Sequence, residues 1–192
     1  MEGASPSANQ MKKRWEEQIS ESNISLRPLQ LSDLDAFMAW ASDDQVSRFC
    51  TWNTYTSKEA ALNYIKDTVL PHPWYRAICF KNQVVGGISV NKPKSGDDSC
   101  RRELAYGLAA KYWGRGIATQ AVKLVVSSIF KECPYLIRLE AMVDVDNIGS
   151  QRVLEKAGFH KEGVLRKYII VKGRIVDVVM YSFLSTELKL VD

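Results

Sequence analysis

Leu108-Ala109-Ala110-Lys111-Tyr112-Trp113-Gly114-Arg115-Gly116-Ile117-Ala118-Thr119 is the stretch on which the fold of this chain turns. A strand, Glu103–Ala110, runs into two glycines. A helix, Ile117–Phe130, follows without a polar break, with Ala118, Ala121, Val122, Val125 and Ile129 along one face. Backbone N–H groups left open at a helix start, with the helix dipole behind them, attract phosphate. Glycine at 114 and 116 lets the backbone come close to a ligand, and Arg115 adds positive charge at the mouth. The Walker spacing to Gly-Lys-Ser/Thr is absent, and Thr119 stands where a dinucleotide loop needs its third glycine. ATP, GTP and NAD are disfavoured on that ground. A lone Gly-x-Gly is explained about as well by an ordinary tight turn.

Outward from the loop, Pro134 ends the helix and Leu136–Val145 is a strand. Strand, anion-binding turn, helix and parallel strand make a right-handed crossover unit. Ile148–Ala157 is the next helix, and Gly158 sits where a left-handed cap would. Phe159–Leu184 is rich in β-branched residues around Lys172-Gly173-Arg174, which predicts a final hairpin. Upstream, Ile24–Leu29 reads as a strand halted by Pro28. Ser32 is placed to cap a helix with Leu34, Phe37, Met38 and Ala41 on one side. Thr56 and Glu59 form a capping-box pattern before a helix striped by Ala61, Tyr64, Ile65 and Thr68, stopped by Pro71 and Pro73. Tyr75–Phe80 and Val84–Val90 flank Lys81-Asn82-Gln83 as a hairpin, and Asn91–Ser99 is a polar loop expected to be mobile. Residues 1–23 are a polar tail, in which Trp15 and Ile19 can dock a helical turn. The domain occupies 24–186, and 187–192 form a C-terminal tail.

The chain has 192 residues, 46% of them hydrophobic, which suits one globular domain and excludes wholesale disorder. Its net charge of +4 sets 26 basic residues against 22 acidic ones. The one local basic run, Lys12-Lys13-Arg14, is followed at once by Glu16-Glu17, so no nucleic-acid partner is expected. A basic nucleic-acid module rests on charge alone. Cys50, Cys79, Cys100 and Cys133 lie far apart, with His72 and His160 the two histidines, so no metal site is expected and buried reduced thiols are. There is no apolar run of membrane-spanning length, and the start Met1-Glu2-Gly3-Ala4 has no signal core. These features point to a cytoplasmic protein without a membrane partner.

Three segments together are specific. Lys111-x-x-Gly114-x-Gly116 resembles the R/Q-x-x-G-x-G/A pyrophosphate loop of the general-control-related N-acetyltransferases, the GNAT superfamily. Asn147-Ile148-Gly149-Ser150, continuing to Glu155-Lys156-Ala157-Gly158-Phe159, is similar to the N-x-x-S/A and E-K-x-G-F helix of that family. Glu162-Gly163-Val164-Leu165-Arg166, with Gly173-Arg174 and Asp177 to Ser182, resembles the ending of its RimJ/RimL-like branch. The likeness runs from about Ile24 to Thr186 with the segments in order.

The resemblance implies an α/β (α+β) GNAT fold. Its sheet is mixed, mostly antiparallel and six- to seven-stranded, splayed between two central parallel strands and flanked by helices. It implies an acetyl-CoA-dependent N-acetyltransferase acting directly on a primary amine, as a monomer or homodimer. The cofactor-binding positions it marks are Leu108, Ala109, Ala110, Lys111, Trp113, Gly114, Arg115, Gly116, Ile117, Ala118, Thr119, Asn147 and Ser150. Glu103 is the candidate base, with a surface glutamate as the bland alternative. The backbone N–H near Leu108 is the expected oxyanion donor. The family's usual leaving-group tyrosine is replaced by Leu154, which leaves Ser150 as the candidate donor to thiolate and motivates a catalytically weak CoA-binding regulator as the alternative. Ser150 and Asn147 can also be simple helix caps. Arg152 and Lys156 read as a solvated helix face, and His72 and His160 as structural. Trp52 and Trp74, on loops, are the aromatics worth testing as part of an acceptor cleft.

Overall fold

Residues 23–92 and 100–188 are described in the computed structural model. Lys12–Arg14, Trp15, Ile19 and most of the Asn91–Ser99 loop lie outside the described residues. Among the described residues are seven strands and five α-helices, in the order β1 (Ile24–Arg27), α1 (Leu34–Ala41), α2 (Asp44–Ser47), α3 (Lys58–Tyr64), β2 (Tyr75–Phe80), β3 (Gln83–Asn91), β4 (Arg101–Leu108), α4 (Ile117–Glu132), β5 (Arg138–Asp144), α5 (Ile148–Lys156), β6 (His160–Val171) and β7 (Arg174–Leu184). The strands make one sheet in the order β1-β2-β3-β4-β5-β7-β6. Every neighbouring pair is antiparallel except β4 and β5, which are parallel.

Both expected hairpins form, each on a two-residue turn with left-handed backbone. Lys81 and Asn82 have φ of 49° and 64°, and Lys172 and Gly173 have 49° and 77°. Two left-handed residues in a row give the turn whose twist matches the strands it joins. Gly158 is left-handed as expected.

Burial places the core on both faces of the sheet. Ile117, Ala121, Val122, Val125, Val126, Ile129 and Phe130 of α4 pack with Leu154 of α5 against Ile78, Ile88, Leu104, Leu108 and Leu139. On the other face Phe37, Trp40 and Ala41 of α1 and Ala61 of α3 cover Ala77 and Cys79 of β2.

Several local details differ from the sequence expectation. Asp33, not Ser32, organises the start of α1. Its carboxylate accepts from the Gln30 N–H at 2.8 Å and is gripped by the Arg27 guanidinium at 2.7 and 2.8 Å. The α3 cap is Ser57, whose hydroxyl accepts from the Ala60 N–H at 3.1 Å, so the Thr56–Glu59 box does not form. A π turn, Ile65–Val69, then adds a residue to the repeat, burying Val69 where a regular helix would bury Thr68. Cys79 is buried but Cys100 is exposed, so the expectation of buried thiols fails there. Ser185–Glu187 form a last 3-10 turn, and Leu188 packs against the main core.

Candidate functional site

Pairing between β4 and β5 covers only Arg101↔Arg138, Arg102↔Leu139 and Glu103↔Glu140. Beyond that row β4 stays with β3 as far as Leu108, and β5 stays with β7 as far as Asp144. The two central strands therefore part into a V whose vertex is the Glu103–Glu140 row. The chain leaves the β4 arm through the 3-10 turn Ala110–Tyr112 and enters α4 at Gly116.

That entry is built around backbone. Gly114 and Gly116 have φ of 72° and 76°, a region costly for side-chain-bearing residues. No side chain caps α4. The amides of Ile117, Ala118 and Thr119 form its first turn, the geometry that attracts an anion. Trp113 donates its indole N–H to the Leu108 carbonyl at 2.9 Å, clipping the loop to the strand end. The Lys111 ammonium and the Arg115 guanidinium both lie over the Tyr112 ring, at 5.2 and 5.5 Å from its centroid. Two cations are thus held beside the amides. Leu108, Ala109 and Ile117 are buried, so only their main chain can meet a ligand.

On the other arm, Asn147 caps α5, its side-chain oxygen accepting from the Ser150 N–H at 3.1 Å. The Ser150 hydroxyl is thereby relieved of capping, and it meets the Tyr106 hydroxyl at 2.8 Å. Sequence reasoning missed Tyr106. Its signal was alternation: it lies between Leu104 and Leu108 on the face packed by α4, where a phenol needs a partner for its hydroxyl. Leu154 is fully buried in the core. Leu154→Tyr is expected to overpack that site, lowering stability by about 1–3 kcal/mol in denaturant unfolding.

Alternation carries Glu103, Ala105 and Gly107 onto the opposite face. The Glu103 carbonyl accepts from the Asn91 amide at 3.3 Å, and the Asn91 side-chain oxygen pairs with His72 Nε2 at 2.9 Å. His72 Nδ1 accepts from the Trp74 N–H at 3.1 Å, so this histidine serves as a structural bridge. On the Glu103 face lies a cavity of about 390 Å³ lined by Arg101, Arg138, Glu140, Glu162, Gly163, Leu165 and Met180. Its charges are mutually paired: Glu140 bonds Arg101 at 3.0 Å and Arg138 at 2.7 Å, and Arg138 forks onto Glu162 at 2.6 Å through both nitrogens. None of these four was read from the sequence as a site residue, because they come from three strands and the register that joins them runs across a fourth, β7. Across this face Lys172, at the β6–β7 turn, donates to the Ser47 carbonyl of α2 at 2.8 Å. The hairpin tip is thereby tied to the helices on the far half of the sheet.

Glu162 has its carboxyl pulled from the ordinary 4.5 to about 2, first by Arg138 and then by the Ser182 hydroxyl. A depressed acid contributes stability above its unfolded value and loses it as pH falls toward the folded one. The melting temperature is expected to decline between pH 4.5 and 2 more steeply in the parent than in Glu162→Gln, with the difference kept small by solvent screening.

One expectation needs correction. Trp74 is a core residue that donates its indole N–H to Glu132 at 2.8 Å, so it does not line a cleft. His160, on the outer strand β6, pairs with Glu187 at 3.3 Å and keeps a structural place. Trp52 is half-buried beside Tyr55 in the α1–α3 layer, and Arg152 and Lys156 are exposed on α5. Among the described residues no group of three or more His, Cys, Asp or Glu is placed to hold a metal, and no helix is long and apolar enough to cross a membrane.

A split parallel pair, with an uncapped glycine-led helix above it, defines a GNAT-type acyltransferase. Residues 23–160 match the family described as "Acetyltransferase (GNAT) domain". The chain belongs to this family and is an N-acetyltransferase. It is 31% identical to the uncharacterized N-acetyltransferase p20 of Bacillus licheniformis, over 89% of this chain and 98% of that one. A GNAT-family acetyltransferase structure from Bacillus anthracis superposes with a TM-score of 0.77 at 24% identity, covering 86% of this chain and 96% of the other. RimL, a ribosomal L7/L12 alpha-N-protein acetyltransferase solved with coenzyme A, shares the fold at a TM-score of 0.74 and 20% identity, covering 85% and 94%.

Proposed function

We propose that this chain transfers acetyl from acetyl-CoA directly to a primary amine, through a ternary complex. The observation that carries this is the end of the β4–β5 ladder at Glu103↔Glu140, with the free end of β4 leading through one turn into the uncapped start of α4. In this reading the pantetheine arm enters the V and uses backbone that β4 no longer shares with β5. The pyrophosphate rests on the amides of Gly114 to Thr119, with Lys111, Trp113 and Arg115 around it. The Leu108 N–H receives the oxyanion, and Asn147 meets the pantetheine while capping α5.

The amine arrives from the opposite face, where Glu103 or a water it holds takes the surplus proton, and Ser150 donates a hydrogen bond to the departing thiolate. The acceptor is a protein or peptide N-terminus or a small amine. The first is favoured by the RimL likeness, since that neighbour acts on an α-amino group of a ribosomal protein. The protein acts in the cytoplasm, as a monomer or homodimer.

One observation favours a second reading. With Leu154 sealed in the core, no tyrosine stands at the family's usual position, which suits a CoA-binding regulator of weak turnover. Calorimetry with acetyl-CoA and CoA, followed by thiol release against a panel of peptides and small amines, separates the two. Release with at least one acceptor is expected. Binding without release across the panel selects the regulator, and no binding overturns both.

A further inference from the structure

We propose that Tyr106 is a positioning residue for thiolate departure, its phenol holding the Ser150 oxygen so that the Ser150 hydrogen is directed at the CoA sulfur. The inference deepens the reading of Ser150 as thiolate donor and rests on it.

Four observations converge. The Tyr106 hydroxyl lies 2.8 Å from Ser150 Oγ and 3.1 Å from the Ser150 carbonyl oxygen, so it engages that residue twice. Asn147 satisfies the Ser150 N–H, which frees the serine hydroxyl for other work. Tyr106 stands on β4 beyond the Glu103 row and Ser150 in the first turn of α5, so the contact spans the V from one arm to the other. Leu154, one turn further along α5, is fully buried and has no hydroxyl to present.

The hydrogen count allows two arrangements, and the second is the one proposed. A carbonyl oxygen only accepts, so the single phenol hydrogen goes either to the Ser150 carbonyl, with Oγ–H donating to the phenol, or to Oγ itself. When it is given to Oγ, the serine hydrogen points away from Tyr106 and is available to sulfur. Burial pushes the Tyr106 phenol well above the usual range, so it stays neutral and keeps the hydrogen that this arrangement uses. Linked hydrogen bonds polarise one another, and a serine that is itself hydrogen-bonded is the stronger donor.

No proton need cross the pair. The amine nitrogen bonds the acetyl carbon, and the C–S bond breaks with its electron pair on sulfur. The surplus proton of the amine leaves to Glu103 or water on the other face. Ser150 and Tyr106 keep their protons and stabilise the charge on sulfur.

The test needs no acceptor. The ultraviolet absorbance of the thiolate of protein-bound CoA is titrated against pH in the full-length parent, Ser150→Ala, Tyr106→Phe and the double variant. CoA affinity and melting temperature are measured alongside. The bound thiol is expected to titrate about one unit below free CoA in the parent, a shift worth a hydrogen bond to a charged sulfur. Each single variant should lose that shift and the double variant no more, with affinity at about pH 7, where the thiol is protonated, within about two-fold. If Ser150→Ala loses the shift and Tyr106→Phe keeps it, the Tyr106 proposal falls and the Ser150 reading survives. If the parent and Ser150→Ala titrate alike, both fall. Should Tyr106→Phe fold poorly, 3-fluorotyrosine at position 106, a stronger donor, must lower the bound thiol further, and an unchanged titration overturns the proposal.

Discussion

Ser150→Ala is expected to lower turnover by about 10- to 100-fold while acetyl-CoA affinity stays within about two-fold. A hydrogen bond to a charged group contributes about 1.5–3 kcal/mol, and tenfold in rate corresponds to about 1.4 kcal/mol. The sulfur carries full charge only as the C–S bond breaks, so the loss belongs to kcat rather than to ground-state binding. The variant should fold normally, because the cap of α5 is the Asn147 side chain and not the serine hydroxyl. Steady-state kinetics with an acceptor found in the panel measures this. Unchanged kcat would return Ser150 and its tyrosine to a purely structural tie across the V.

Gly116→Val is expected to weaken acetyl-CoA binding at least about ten-fold. Gly116 is the N-cap of α4 at φ 76°. A β-branched residue there is strained by about 1–2 kcal/mol and crowds the amides that face the pyrophosphate. Strain alone would lower the melting temperature by roughly 2–8 °C in a protein of this size. Gly173→Val separates the two effects. Gly173 is left-handed too, at φ 77°, with open space where a Cβ would go, but it sits at the β6–β7 turn. It should lose stability and keep affinity for acetyl-CoA. Equal affinity in the two variants would remove the Gly114–Gly116 loop from the cofactor site.

Legibility in the sequence followed the range of the interactions. The hairpin turns at Lys81-Asn82 and Lys172-Gly173, the apolar stripe of α4 and the glycines of the loop are decided by residues within a few positions of one another, and each was readable. Caps are as local but more crowded with candidates. Ser57 took the role expected of Thr56, and Asp33 the role expected of Ser32, because a neighbouring side chain reached the amide or guanidinium better.

By itself the sequence determined the family, the phosphate-type turn and the absence of a tyrosine at Leu154, since those are matters of residue type and spacing along one segment. Only the tertiary structure decided what stands in the gap. Tyr106 and Ser150 are 44 residues apart, and the Arg101, Arg138, Glu140 and Glu162 cluster comes from three strands. Those partnerships depend on where the parallel register stops and which strand lies beside which. A one-residue slip would turn every one of these side chains to the other face, and no local pattern records the register.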